Sequence, residues 1–355
     1  MKYMDKKMIK PLQSWRAIMI TMIFVLHVCP QIKILAGGCE TISFFIILSG
    51  FVMAISRYSK DIKCTSKNII FFVKNKISKF YPLHLLMLLA CVFLSMITMF
   101  LSKDFHNMNL LIKQFISQLF LIQAFVPNSD IYFGLNGVSW YLSATLFFYI
   151  ISLPVLNLLK KIDNNRVLIM IPCILLILHT VIIILLQKNI NFSFLTYIFP
   201  LFRSLEFISG MSLGILYLKE KRNINNILSF KKSTILEIMI IVLFIIQRYL
   251  CSYTQIYNIP YNYKSPIGFL ISLAIVIIFS MEKGFISKIL SAKLFVYIGN
   301  ISFEIYIMHT VIMNYCDTFL EILGMNKYKV ILTLIVTLIL AGFIHSHPIK
   351  VRKLD

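Results

Sequence analysis

"VILTLIVTLILAGFI", residues 330–344, decides the class of this chain. The run is uncharged from end to end, and apart from Thr333 and Thr337 it is apolar. A transmembrane β-strand alternates lipid-facing and lumen-facing side chains and reads as short alternating segments between polar turns. Here the apolar character is continuous, as it is in "IMIIVLFII" at 238–246. Inside a bilayer a segment must satisfy its own backbone polar groups, so such a run folds as an α-helix. Similar runs recur along 355 residues that are 59% hydrophobic, with a mean hydropathy of +0.84, and this excludes a soluble globular domain. The expected fold class is all-α: a polytopic transmembrane helical bundle.

About ten spans are expected, near 15–30, 37–56, 80–101, 139–159, 167–187, 194–217, 234–250, 266–282, 294–315 and 329–345. The segment 109–126, "NLLIKQFISQLFLIQAFV", is shorter and carries Lys113, Gln114, Gln118 and Gln123. It reads as an interfacial or re-entrant piece, not a span. Charge supports that count. With the amino terminus in the cytoplasm, the basic residues concentrate in the inside loops 57–79, 160–166, 219–232 and 283–293 and at the two ends. The outside stretches hold Lys33, Lys103, Lys113, Lys188, Arg248, Lys264, Lys327 and Lys329, and Arg203 falls within a span. Positive-inside bias is then met at every loop, and both termini are expected in the cytoplasm. The net charge of +21 follows from short loops facing an anionic leaflet and requires no nucleic-acid partner.

No small-residue cleavage site follows the first span before Pro30, so the first helix is expected to remain in the protein. The seven cysteines are scattered, without a C-x-x-C pair; a Cys29–Cys39 bridge is one reading and small buried hydrophobes the preferred one. No metal-ligand pattern is visible. One membrane domain over 1–355, with its core at 12–345 and no fused extracytoplasmic domain, is expected.

Polar residues inside apolar helices carry the functional signal. In "RAIMITMIFVLH", Arg16 and His27 are eleven positions apart, about 16 Å of helical rise and nearly whole turns, so they share a face at two depths. Taken alone, Arg16 reads as a snorkelling anchor and His27 as a satisfied polar side chain. A second histidine, His309 in "ISFEIYIMHT", is expected at matching depth about fourteen residues into its span. Glu40, Thr41, Ser43, Asn136, Trp140 and Ser143 fall in the same layer. Arg203 and Glu206 lie three apart on one helical face, either as a structural ion pair or in the chemistry. Lys76 and Lys79 form either a solvated basic loop or a dock for an anionic cofactor.

Taken in order, "QSWRAIMITMIFVLH", "GGCETISFFIILSGFVM", "KISKFYPLHLL", "NGVSWYLSATLFFYI", "FRSLEFISGMSLGIL" and "GNISFEIYIMH" resemble the acyltransferase-3 family of bacterial integral membrane acyltransferases, over about 15–315. The resemblance implies ten core helices, a multi-pass place in the bacterial inner membrane, and transfer of an acyl group from acyl-CoA, most commonly acetyl-CoA, to a carbohydrate hydroxyl of an exopolysaccharide, O-antigen or related glycan. It matches Arg16 and His27 to the family's Arg-x10-His motif, with His27 catalytic. Ser49, Gly50 and Phe51 match its Ser-Gly-Phe; Trp140, Leu142 and Ser143 its Trp-x-Leu-Ser; and Ser302, Tyr306 and His309 its late histidine element. Two features depart from the family pattern. Lys76 and Lys79 replace an Arg-x-x-Arg and lose bidentate phosphate geometry. Thr145 stands where a carboxylate is common.

Arg16, Lys76 and Lys79 are thus expected to hold the donor's phosphates. His27 is expected to act as general base on the hydroxyl or to carry the acyl group itself, the first needing only one alignment. His309 or Arg203 is expected to stabilise the oxyanion, with Ser143 nearby. The alternative from another class is a transporter or flippase for a polysaccharide or acyl intermediate, although no inverted repeat is visible.

Overall fold

The computed structural model describes residues 8–60, 64–256 and 264–348. Among these the regular elements are all helical: α1 (Lys10–Val28), α2 (Cys39–Arg57), α3 (Ser66–Ile77), α4 (Tyr81–Ser102), α5 (Met108–Leu119), α6 (Ser129–Tyr132), α7 (Trp140–Lys160), α8 (Asn165–Leu186), α9 (Pro200–Ile227), α10 (Phe230–Ile256), α11 (Lys264–Ser280), α12 (Phe285–Leu290), α13 (Lys293–Asn300), α14 (Ser302–Ile322) and α15 (Lys329–Ser346). Pro11 and Pro82 stand in the first turns of α1 and α4, where a missing N–H leaves no intrahelical bond unmade. Among the described residues eight helices are long and apolar enough to cross a membrane; α13 and α14 together make a ninth, and α11 is a shorter apolar helix. The protein is a multi-pass helical membrane bundle. Its helices α4, α8 and α15 leave most of their apolar surface unburied, as helices facing lipid do.

Two expectations change. The segment 294–315 is not one straight helix: α13 and α14 meet at Ile301 with a bend of 61°. The sequence there, "GNIS", is rich in weak helix formers, and Gly299 lets α13 approach the backbone of Gln13 on α1. His309 consequently lies in the first half of α14. Arg248, placed above among the outward-facing charges, is buried. Cys29 is buried and free, and the side chain of Cys39 lies outside the described residues.

The segment 109–126 forms α5 and a following 3-10 turn, Gln123–Phe125, and its polar residues explain the shape. Gln114 donates to the carbonyl of Asp130 at 2.8 Å, Gln118 to that of Gly134, and Gln123 to that of Ser139 at 3.0 Å. Each rung spans sixteen residues, so three glutamines fasten this piece along the loop that leads into α7. On the other flank Tyr81 donates to Leu119 O at 2.8 Å, and a ring nitrogen of His84 lies 3.0 Å from Gln118 O. Where this loop is buried its backbone groups need partners, and these side chains provide some of them.

At the centre α2 crosses α9 closely. A Cβ on Gly50 would meet the carbonyl of Phe207, and one on Gly210 the carbonyl of Ile47. Small residues at such a crossing let two membrane helices touch backbone to backbone. Phe148 of α7 stacks on Phe207 at 5.0 Å and 11°.

Candidate active site

The site begins with two imidazoles. Nδ1 of His309 lies 3.0 Å from Ile305 O and 2.8 Å from Tyr306 O. Carbonyl oxygens only accept, so this ring carries its proton on Nδ1 and leaves Nε2 as an acceptor. Nδ1 of His27 lies 3.0 Å from Ile23 O and 3.1 Å from that Nε2. By the same argument it is protonated and donates to both. The second nitrogen of His27, Nε2, therefore keeps an unshared lone pair. His309 is fully buried, whereas His27 is half-buried and lines a cavity of about 460 Å³.

The cavity lies among the end of α1, the start of α2, the turn before α7, and α14. Gly37 and Gly38 border it at the amino terminus of α2, which has no side-chain cap. Across from them a buried stitch fixes the wall. Tyr306 donates to Val138 O at 2.7 Å, Asn136 Nδ2 to Ile307 O at 2.9 Å, and Thr310 to Asn136 Oδ1 at 3.1 Å. Trp140 and Tyr197, with ring centroids 5.2 Å apart, supply an aromatic wall.

From the histidine pair an aromatic line leads back to Arg16. The rings of His309 and Tyr306 are 6.2 Å apart, and those of Tyr306 and Tyr141 are 5.6 Å apart. Arg16 lies within electrostatic reach of Tyr141 and of Glu304, and its Nη1 donates to Gln13 Oε1 at 3.0 Å. Lys76 sits 5.6 Å from the ring centroids of both Phe72 and Tyr149. Phe80 bridges from Tyr149 to Phe303, the neighbour of Glu304, and exposed Lys79 directly precedes it. Arg16 and Lys76 thus border one aromatic set, with Lys79 beside it in the chain, and Arg16 lies in the amino-terminal half of α1, away from His27 near its other end.

Two expected site residues are not brought to the cavity. Ser143 is fully buried, and its Oγ accepts the N–H of Ala124 at 3.3 Å, which anchors the turn that follows α5. Arg203 lies behind Tyr197. Its Nε donates to Tyr197 O at 2.9 Å and its Nη1 to Glu206 Oε1 at 2.7 Å, and that oxygen also accepts from Ser43 at 2.7 Å. Arg203 and Glu206 form a fully buried ion pair at the packing centre. His309, expected as an oxyanion donor, has its Nε2 turned to His27 as an acceptor.

The sequence reading missed Arg248. Its guanidinium pairs with Glu40 and donates to the carbonyls of Lys33, Ile34 and Ala36, so one side chain clasps the 31–38 loop whose last residues border the cavity. The signal was present in "LFIIQRYLC", because an ionisable residue within an apolar helix implies a partner. Glu40 was in view as a polar residue of the right layer, but nothing in the sequence joined the two.

Fold and site together define a multi-pass helical membrane protein with a paired-histidine centre at a cavity and basic side chains toward the other half of the same helix. Residues 11–345 match the acyltransferase-3 family model, described as an acyltransferase domain, and the chain belongs to that family. Membership sets the transporter reading aside. Among curated proteins, acyltransferase MdmB of Streptomyces mycarofaciens is 31% identical over 129 residues, covering 36% of this chain and 31% of that protein. The match thus spans about a third of that relative's length. No solved structure matches the chain.

Proposed function

We propose that the protein moves an acyl group, acetyl as the first choice, from cytoplasmic acyl-CoA to a hydroxyl of a cell-surface carbohydrate in a bacterial inner membrane, with His27 as general base. The observation that carries this reading is the His27–His309 pair, whose hydrogen bonds to carbonyls leave the lone pair of His27 Nε2 unspent on a side chain that lines the cavity.

The acceptor hydroxyl gives its proton to His27 Nε2 as its oxygen attacks the thioester carbonyl carbon. His309 Nε2, accepting from His27 Nδ1–H, holds the tautomer and steadies the imidazolium. The carbonyl oxygen becomes an oxyanion, for which the uncapped, partially positive amino terminus of α2 on the cavity wall is the proposed stabilising feature. Collapse breaks the C–S bond, and the thiolate recovers the proton from His27. No acyl-enzyme is required. Arg16, Lys76 and Lys79 are proposed to hold the donor's phosphates, with the lysines acting as point charges, while the pantetheine arm follows Tyr141 and Tyr306 inward.

The test compares acyl esters on the surface polysaccharide in the native strain, a deletion strain, and the deletion carrying His27→Ala at matched membrane expression. Esters missing from both the deletion and the variant are expected, and their mass names the acyl group. Full esterification by the variant overturns His27 as base.

A further inference from the structure

Besides the free nitrogen of His27, the cavity wall holds a polar side chain, Asn314, that no group among the described residues engages. On α14, Tyr306, Thr310 and Asn314 follow at intervals of four and share a face, and all three line the cavity. The first two are committed: the Tyr306 hydroxyl proton goes to Val138 O and that of Thr310 to Asn136. The side-chain amide of Asn314 has no hydrogen-bond partner among the described residues and is half-buried. It offers two N–H donors and a carbonyl acceptor to whatever enters.

We propose that Asn314 is the specificity residue of the acceptor subsite, holding a hydroxyl of a pyranose ring while a neighbouring hydroxyl of the same sugar unit lies at His27. This rests on the acyl-transfer reading above. Asn314 is five residues beyond His309, about 7.5 Å of helical rise, and it lines the same cavity as His27. The wall facing α14 carries Trp140 and Tyr197, with Phe133 exposed at the rim. Aromatic faces take the C–H face of a sugar, and an amide takes its hydroxyls, since a hydroxyl both donates and accepts. A simple alcohol has no second hydroxyl for the amide, and a site built to bond one discriminates against a partner that lacks it.

The experiment uses the full chain in detergent micelles or nanodiscs, in a Trp15→Phe background so that Trp140 alone reports by fluorescence. Methyl α-glucopyranoside and methyl α-galactopyranoside are titrated as probes, and thiol release from acetyl-CoA is followed with each sugar and with n-butanol. Asn314→Ala is expected to raise the Kd and acceptor KM of the better pyranoside about tenfold and to change the n-butanol KM much less, while Asn314→Asp, which keeps an acceptor oxygen, recovers part of the loss. Equal pyranoside Kd values in Asn314→Ala and the parent, or a parent that binds neither sugar, overturn the subsite. A parent that binds sugar in an Asn314-dependent way but releases no thiol supports the subsite and overturns the reaction assigned to it. Because the amide has no hydrogen-bond partner among the described residues, its removal takes no hydrogen bond from them.

Discussion

Nε2 of His309 lies 3.1 Å from Nδ1 of His27, a contact between rings 282 residues apart in the chain. The direction of this bond fixes the tautomer of His27, because the backbone carbonyls beside His309 leave its Nε2 only the role of acceptor. A replacement at 309 should therefore be judged by whether it can accept a hydrogen bond. His309→Gln, whose amide oxygen can accept, is expected to lower kcat about tenfold, and His309→Leu about a hundredfold. The double variant His27→Ala/His309→Leu should be no slower than His27→Ala alone, since the second residue acts through the first. Thiol-release kinetics on purified protein check this; equal rates for the Gln and Leu variants would remove the orienting role.

The donor end gives a prediction in KM. Arg16→Ala is expected to raise the KM for acetyl-CoA about tenfold, and Arg16→Lys by less, because a lysine keeps the charge and loses the fork. Low ionic strength should widen the difference. Acetyl-pantetheine, which lacks the nucleotide phosphates, is the control: its KM should be high in the native protein and respond little to the substitution. An acetyl-pantetheine KM that rises as steeply as that of acetyl-CoA would place Arg16 in the fold and not in donor binding.

Arg248 and Glu40 give a prediction in stability. Both are buried, and the guanidinium also holds three loop carbonyls. Arg248→Met leaves Glu40 charged and alone, which is expected to cost about 3–5 kcal/mol. Adding Glu40→Gln should recover part of that, because the stranded charge is gone. Unfolding midpoints in detergent measure both; a double variant less stable than Arg248→Met would mean the pair itself is not the source of the cost.

How far the sequence reached depends on the range of each interaction. Apolar runs and loop charge are local: among the described residues, eight of the ten expected spans are helices long and apolar enough to cross a membrane, 294–315 is the bent pair α13 and α14, and 266–282 is the shorter α11. The shape of 109–126 was also legible, because glutamines in an apolar stretch must be satisfied somewhere, although their partners sixteen residues on were not. His27 and His309 were paired by an argument from depth that assumed a straight helix over 294–315. They meet despite the bend at Ile301. What was illegible was everything set by helix packing: that Tyr197 stands between Arg203 and the cavity, that Ser143 is spent on Ala124, and that Arg248 reaches Glu40. Residue type marks these positions as needing partners and leaves the partner open.

Gly50 shows why motif membership and chemistry are separate questions. It sits in the Ser49–Gly50–Phe51 triplet that resembles a family signature, yet in the structure its role is contact. The α9 backbone at Phe207 and Met211 occupies the space a side chain would need, and Gly210 answers from the other helix at Ile47. Gly50→Ala must push α2 and α9 apart or strain both, an overpacking cost expected at about 1–3 kcal/mol. Gly137, which lines the cavity, has nothing within 4 Å of the position a Cβ would take, so Gly137→Ala is expected to shift stability by no more than about 0.5 kcal/mol. Unfolding midpoints of the two variants in one detergent make the comparison. The discriminating outcome is their order: a destabilised Gly50→Ala beside a native-like Gly137→Ala assigns the central glycine to the helix crossing, and the reverse order would mean that the close approach of α2 to α9 is not what requires it.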